Sequence, residues 1–184
     1  MRVRHFSIGA DHFLKGLAHI KIGENFEAGK GLWLQAINLS RNADPTPKIV
    51  IGENFSISFW GHIAATDCVE IGSNVMVGSK VTIIDHNHGS YGPLMHCAPR
   101  TPPKDRPLIG RPIAIGSNVW IGDGVVVAPG ATIGEGCVIG ANAVVTGHIP
   151  PYCMAVGIPA RTIKKYDFDK MEWRSCSLGK PEHY

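Results

Sequence analysis

The sequence predicts an all-β fold, a parallel β-helix in which six-residue repeats stack into a triangular prism. Three observations predict it. From Ile115, every sixth residue is Ile or Val: Ile115, Ile121, Val127, Ile133, Ile139 and Val145. The residue after each is small: Gly116, Gly122, Ala128, Gly134, Gly140 and Thr146. The composition, with 22 Gly and 13 Pro among 184 residues, favours many tight turns over long helices.

A period of six fits neither one long strand nor a helix. Each unit supplies a short strand and a turn, with the aliphatic residue inward and the small residue at the corner. Three units close one coil, and coils stack about 4.8 Å apart through main-chain hydrogen bonds. The aliphatic residues then form ladders, and each coil buries its neighbour. The position four after the aliphatic residue supports this, being Val119, Val125, Ala131, Cys137 and Ala143.

The same pattern recurs earlier in other phases. One run is Ile51, Ile57, Ile63 and Val69; another is Ile71, Val77 and Ile83, followed by Gly72 and Gly78 where the unit continues. A fainter run holds Ile22, Ala28 and Leu34, with Gly23 and Gly29. Each change of phase marks an insertion, at about 35–50, at 69–71 and at 84–113. The expected organisation is one β-helix domain over residues 1–166, with an inserted loop at 85–112. A short C-terminal tail, 167–184, caps or packs on the open end, where the last strand would otherwise expose unpaired backbone. At the other end Phe6, Phe13, Leu14 and Leu17 are expected to cover the first coil.

Charge and cysteine usage narrow the function. A net charge of +3 is too small to argue for nucleic acid or a membrane surface, yet suits anionic small ligands. The five cysteines are odd in number and form no C-x-x-C, against a disulfide framework or a zinc knuckle. Reduced thiols, and no expected leader or membrane span, place the protein in the cytoplasm.

Residues 85–112, DHNHGSYGPLMHCAPRTPPKDRPLIGRP, break the repeat with six prolines. A loop this long in a compact repeat is usually functional. It carries Asp85, His86, His88 and His96, with the cations Arg100, Lys104, Arg106 and Arg111. His86 follows the strand that starts at Ile83 and projects where the loop leaves a rigid coil. Imidazole titrates near neutrality and suits proton removal from a hydroxyl or amine. His88, at i+2 on an extended segment, faces the same side. His62 lies 24 residues before His86, so coil stacking alone does not make the two neighbours. Two other readings stand beside the base: a zinc site drawing on His86, His88 and either His62 or His96, and polar loop residues with satisfied hydrogen bonds.

Four segments carry a resemblance to the hexapeptide-repeat acyltransferases: HIAATDCVEIG at 62–72, VEIGSNVMVGSKVTIIDHNHGSY at 69–91, PIAIGSNVWIGDGVVVAPGATIGEGCVIGANAVVTGHIPP at 112–151, and AVGIPARTIKKY at 155–166. The match is nearest to the sugar O-acetyltransferase branch, the galactoside, maltose and lipopolysaccharide or capsule enzymes. The resemblance implies left-handed winding, a homotrimer with active sites between neighbouring prisms, and acetyl-CoA as donor with no metal. It implies a sugar, nucleotide-sugar or lipid-linked glycan as acceptor. His86 matches the family's catalytic histidine, a general base for direct transfer from the thioester, with Asp85, His88 and His62 in support. Trp120 matches a position near acceptor and pantetheine.

The same resemblance assigns Asp123, Ala128, Ala141, Thr146 and Gly147 to a CoA groove. Asp123 with Ala141, and Ala128 with Thr146, recur at one-coil spacing and stack at a corner. Arg161, Lys164 and Lys165 follow the last coil and suit the CoA phosphates. Two departures stand out: Asp123 replaces a serine that helps at the oxyanion, and Gly147 replaces a lysine. A main-chain N–H or small polar group is then expected at the oxyanion. The competing functions are N-acetylation of a nucleotide-linked amino sugar, a zinc enzyme of the γ-carbonic-anhydrase kind, and a non-catalytic assembly scaffold.

Overall fold

A computed structural model describes residues 5–37, 48–92 and 96–176. Among these residues there is no α-helix, only short strands and two single 3-10 turns, Leu17–His19 and Pro103–Asp105. The strands form three parallel faces of a prism. The first face runs through Phe6–Ile8, Phe26–Ala28, Phe55–Ile57, Met76–Val77, Trp120–Ile121, Val138–Ile139 and Cys153–Val156. The second holds Phe13–Lys15, Trp33–Ala36, His62–Ala65, Thr82–Ile84, Val126–Val127 and Val144–Val145. The third holds Ile20–Ile22, Ile49–Ile51, Val69–Ile71, Ile113–Ile115, Thr132–Ile133 and His148–Ile149.

The interior is built as the period requires. Leu34, Ile63, Ile83, Val127 and Val145 are in register up the second face, and all five are buried. Ile51, Ile71, Ile115, Ile133 and Ile149 do the same on the third. Each such side chain removed from water is worth about 1.5–3 kcal/mol, and the ladder fixes register coil by coil.

The corner glycines are needed for closeness rather than for unusual torsion. A Cβ on Gly72 would lie 2.6 Å from the Ser117 nitrogen of the next coil. The left-handed residue falls two positions later and is asparagine, at Asn25, Asn54, Asn74 and Asn118. Asparagine tolerates that conformation. Its amide also bonds along the axis, Asn25 to Asn54 at 2.7 Å and Asn54 to Asn74 at 2.9 Å.

Register corrects one sequence assignment. Val69 pairs with Ile49, and Ile71 pairs with Ile51, so Ile71 and not Val69 continues the Ile51 ladder. Ile63 to Ile71 spans eight residues where Val127 to Ile133 spans six. The two extra residues therefore lie before Val69, at Thr66 and Asp67, not at 69–71. The stretch between Leu34 and Ile51 and the loop between Ile83 and Ile113 leave at this same corner, between the second and third faces.

The N-terminal end also differs from expectation. Phe6, Phe13 and Leu14 do not cover the first coil; they belong to its strands. Phe6 stacks on Phe26, which stacks on Phe55, at 5.2 and 5.5 Å between ring centres. At the C-terminal end, Arg161–Asp167 pairs antiparallel with Cys153–Val156, and Glu172–Ser175 pairs antiparallel with it in turn. The 177–184 part of the tail, like 93–95 of the loop, lies outside the described residues.

Candidate active site

The inserted loop begins and ends as a two-stranded antiparallel ribbon, His86–His88 against Leu108–Gly110. At its root Asp85 is fully buried. A buried carboxylate needs donors, and the two-residue insertion of the preceding coil supplies them. Thr66 N–H reaches Oδ1 and Oδ2 of Asp85 at 2.9 and 3.1 Å, and Asp67 N–H reaches Oδ2 at 2.7 Å. The Thr66 hydroxyl adds a contact of 3.3 Å to Oδ1. Lys48 steadies this bulge from the coil above, its ammonium donating to the Thr66 carbonyl at 2.8 Å.

The remaining partner of Asp85 Oδ1 is His86 Nδ1, at 2.8 Å. Burial pushes the Asp85 pKa up, but hydrogen bonds from His86, Thr66 and Asp67 outweigh it and hold the group below its ordinary value. Asp85 is therefore an ionised acceptor, and Nδ1 carries the proton of the neutral imidazole. The lone pair is left on Nε2, the atom free to accept a proton from an incoming group.

His62 opens the second-face strand whose far end leads to this corner. Its imidazole stacks against Trp33 with ring centres 5.2 Å apart. Its pKa is lowered by partial burial and then by the charge of nearby His86. Thr82 pairs with His62, so a coil here is 20 residues long, and His86 stands four residues further along, past the end of that strand. An 18-residue coil spacing did not predict this relation, because the coil is two residues longer here. His88 is exposed, on the same ribbon side as His86.

The other predicted residues fall elsewhere on the single chain. Ala128, Thr146 and Gly147 continue the corner from which the loop leaves, and a Cβ at Gly147 would meet open space. Asp123 and Ala141 lie at the corner between the first and second faces. The Asp123 carboxylate accepts the Ser79 N–H at 2.6 Å, so it is occupied in joining two coils. Trp120 points outward on the first face, about half exposed, paired with Met76 and Val138. Arg161, Lys164 and Lys165 lie on the terminal strand, where the Arg161 guanidinium donates to the Ala160 carbonyl at 3.0 Å. One chain thus joins Asp85 and His86, with His62 close enough to feel the charge of His86, and keeps Trp120, Asp123 and the terminal cations apart from them. Sequence reasoning missed Thr66, Asp67 and Gly110, which pack about Asp85. The signal for the first two was the phase slip before Val69.

No group of three His, Cys, Asp or Glu side chains converges as a metal site among the described residues. No helix among them is long and apolar enough to cross a membrane.

Comparison with known proteins gives a consistent picture. Residues 112–147 match the family model described as bacterial transferase hexapeptide (six repeats). The chain is 38% identical over 167 residues to WbbJ of Escherichia coli K12, named for lipopolysaccharide biosynthesis O-acetyl transfer, covering 89% of this chain and 81% of that one. It is 41% identical over 123 residues to the galactoside O-acetyltransferase of the same organism, covering 66% of this chain and 57% of that one. The crystal structure of a maltose O-acetyltransferase from Clostridium difficile 630 superposes with a TM-score of 0.56 at 33% identity, covering 83% of this chain and 68% of that one.

Proposed function

This chain belongs to the hexapeptide-repeat acyltransferases, wound as their left-handed parallel β-helix, and from that premise we propose that it is an acetyl-CoA-dependent O-acetyltransferase acting on a sugar hydroxyl in envelope polysaccharide synthesis. Acyl transfer follows from membership of the family. The observation that carries the finer reading is the Asp85–His86 pair, a buried carboxylate fixing one ring nitrogen at 2.8 Å and leaving the other for the acceptor.

His86 Nε2 takes the proton of the sugar hydroxyl as the oxygen attacks the thioester carbonyl. Asp85 stabilises the imidazolium so formed. The tetrahedral intermediate collapses, the carbon–sulfur bond breaks, and the CoA thiolate takes the proton from Nε2. No covalent acyl-enzyme is required. Asp123 is unsuited to the oxyanion, being a carboxylate already bound to Ser79; a main-chain N–H serves instead.

Acetyl-CoA lies along a groove lined by Ala128, Thr146 and Gly147. Its phosphates reach toward Arg161, Lys164 and Lys165. The separation of Trp120, Asp123 and Ala141 from His86 within one chain supports a homotrimer in which a neighbouring prism contributes them. A cytoplasmic enzyme has the acetyl-CoA it needs. The test is release of CoA from acetyl-CoA in the presence of candidate sugars, amino sugars included. His86→Ala is expected to lower turnover at least 100-fold, and full turnover by that variant would remove His86 from the mechanism.

A further inference from the structure

The ribbon that carries His86 has two sides. Alternation places His86, His88, Leu108 and Gly110 on one, and Asn87 and Ile109 on the other. The His86 side faces the Thr66–Asp67 bulge, since a Cβ on Gly110 would lie 2.6 Å from the Asp67 Cβ. The Asn87 side faces the following coil, where a Cβ on Gly130 would lie 3.5 Å from Cβ and 3.7 Å from Nε of Arg111. On this Asn87 side lies a cavity of about 270 Å³, lined by Asn87, Gly89, Ser90, Tyr91, Ile109 and Arg111.

Charge distinguishes this cavity. Among the described residues Arg111 is the only ionic group lining it. Its backbone is pinned, N–H to the Asp85 carbonyl at 2.7 Å and carbonyl to the Gly130 N–H at 3.0 Å. Its stem lies over Gly130, and its side chain is exposed. Among the described residues no carboxylate pairs with it. The nearby acid, Asp85, is consumed by Thr66, Asp67 and His86.

A second guanidinium stands behind the cavity wall. Arg106 donates to the Tyr91 hydroxyl at 2.8 Å and to the carbonyls of Thr101 and Pro99 at 2.9 and 3.1 Å, all neutral partners. The Tyr91 ring, fixed through its hydroxyl to the His88 carbonyl at 2.6 Å, stays largely exposed at the rim. Two uncompensated guanidinium charges, a primary amide from Asn87 and an aromatic flank make a receptor for a phosphate ester.

We propose that the cavity behind the His86 ribbon is a phosphate site, which takes a phosphate or diphosphate ester with Arg111 as its bidentate anchor. The site stands on its own charges. Only the choice of bearer rests on the acetyl-transfer reading, in which both the CoA donor and a nucleotide-linked acceptor carry a diphosphate.

The test is calorimetry of the intact chain with sodium pyrophosphate, UDP and CoA in turn. Pyrophosphate is expected to bind the wild type and to lose at least tenfold in affinity in Arg111→Gln. Asn87→Asp, which adds a repelling charge without touching Arg111, is expected to lose as much and serves if Arg111→Gln does not fold. A parallel loss for UDP assigns the site to the acceptor's carrier, and a parallel loss for CoA assigns it to the donor. No pyrophosphate binding by the wild type, or equal binding by the variants, overturns the proposal. His86→Ala binds pyrophosphate as the wild type does, whatever its turnover, so the failure of one reading is separable from the failure of the other.

Discussion

Asp85→Asn tests the candidate site most sharply, because the amide keeps the shape of the carboxylate and changes only its bonding. In the native arrangement Oδ2 takes the Asp67 N–H at 2.7 Å, and Oδ1 takes His86 Nδ1 at 2.8 Å. An asparagine has one oxygen for these two donors. If its NH₂ faces Asp67, two donors meet in a fully buried space, at a cost of about 1–3 kcal/mol. If the NH₂ faces His86 instead, the imidazole avoids that cost by moving its proton to Nε2. The latter arrangement is therefore favoured, and it places a proton where the base must be empty. Asp85 is in this sense a positioning residue. The expected fall in kcat is about 10²–10⁴-fold, the usual worth of a general base, with KM for acetyl-CoA changed by no more than about threefold. Loss of the charge-assisted bonds also lowers stability by about 2 kcal/mol. Initial rates of CoA release and urea unfolding measure the two effects, and nitrogen NMR of the imidazole reports the tautomer. A variant that keeps more than about a tenth of wild-type kcat, or whose proton stays on Nδ1, refutes the reasoning.

Two further predictions follow from the same corner. Gly110→Ala would put a Cβ 2.6 Å from the Asp67 Cβ and 2.8 Å from the Thr66 hydroxyl, pushing the bulge off Asp85. Stability should fall by about 1–3 kcal/mol and kcat at least tenfold, with CoA affinity by calorimetry unchanged; unchanged kcat would separate the bulge from catalysis. His62, with its pKa lowered by burial and by His86, stays neutral in the folded protein where the unfolded chain is already protonated. The unfolded state then binds more protons, so stability rises with pH through the window just below about 6.5. Urea midpoints measured from about pH 5.5 to 7 should show a shallower slope for His62→Gln than for the wild type, and equal slopes would count against the assignment.

The scaffold was legible because one physical requirement, an inward aliphatic side chain every sixth residue, repeats often enough to be counted. Ile115 through Val145 could be placed on three faces from spacing alone, and the register bears that out. His86 was legible for a related reason, as the first imidazole after a ladder strand where the ladder stops. What spacing could not supply was distance across an irregular corner. His62 feels the charge of His86 although 24 residues separate them, because Thr82 lies beside His62 one coil on and His86 follows four residues later. The roles of Thr66 and Asp67 were hidden more deeply, since their backbone N–H groups do the bonding and backbone donors leave no mark in side-chain identity. Asp123 shows the converse. Its side chain looked like a departure within a cofactor groove, yet its carboxylate closes a hydrogen bond between coils, a use that needs the neighbouring Ser79 to be seen.

The two irregularities at this corner depend on each other. In a regular coil the N–H groups are taken by carbonyls of the adjacent coil, as Trp120 N–H is by Cys137. Inserted residues fall out of that register, and a buried donor without a partner costs about 1–3 kcal/mol. Thr66 and Asp67 are such residues, and the Asp85 carboxylate takes both N–H groups. Conversely, an ionised carboxylate with no exposed surface is tenable only when donors surround it. The short insertion in one coil and the acid at the start of the long insertion in the next therefore satisfy one another. Their joint product is a histidine whose ring is fixed to the rigid prism rather than to the loop it opens. That arrangement allows the loop between His88 and Leu108 to vary with the acceptor while the base stays in place, since the residues that orient His86 lie outside that stretch: Lys48, Thr66, Asp67 and Asp85 before it, and Gly110 after it.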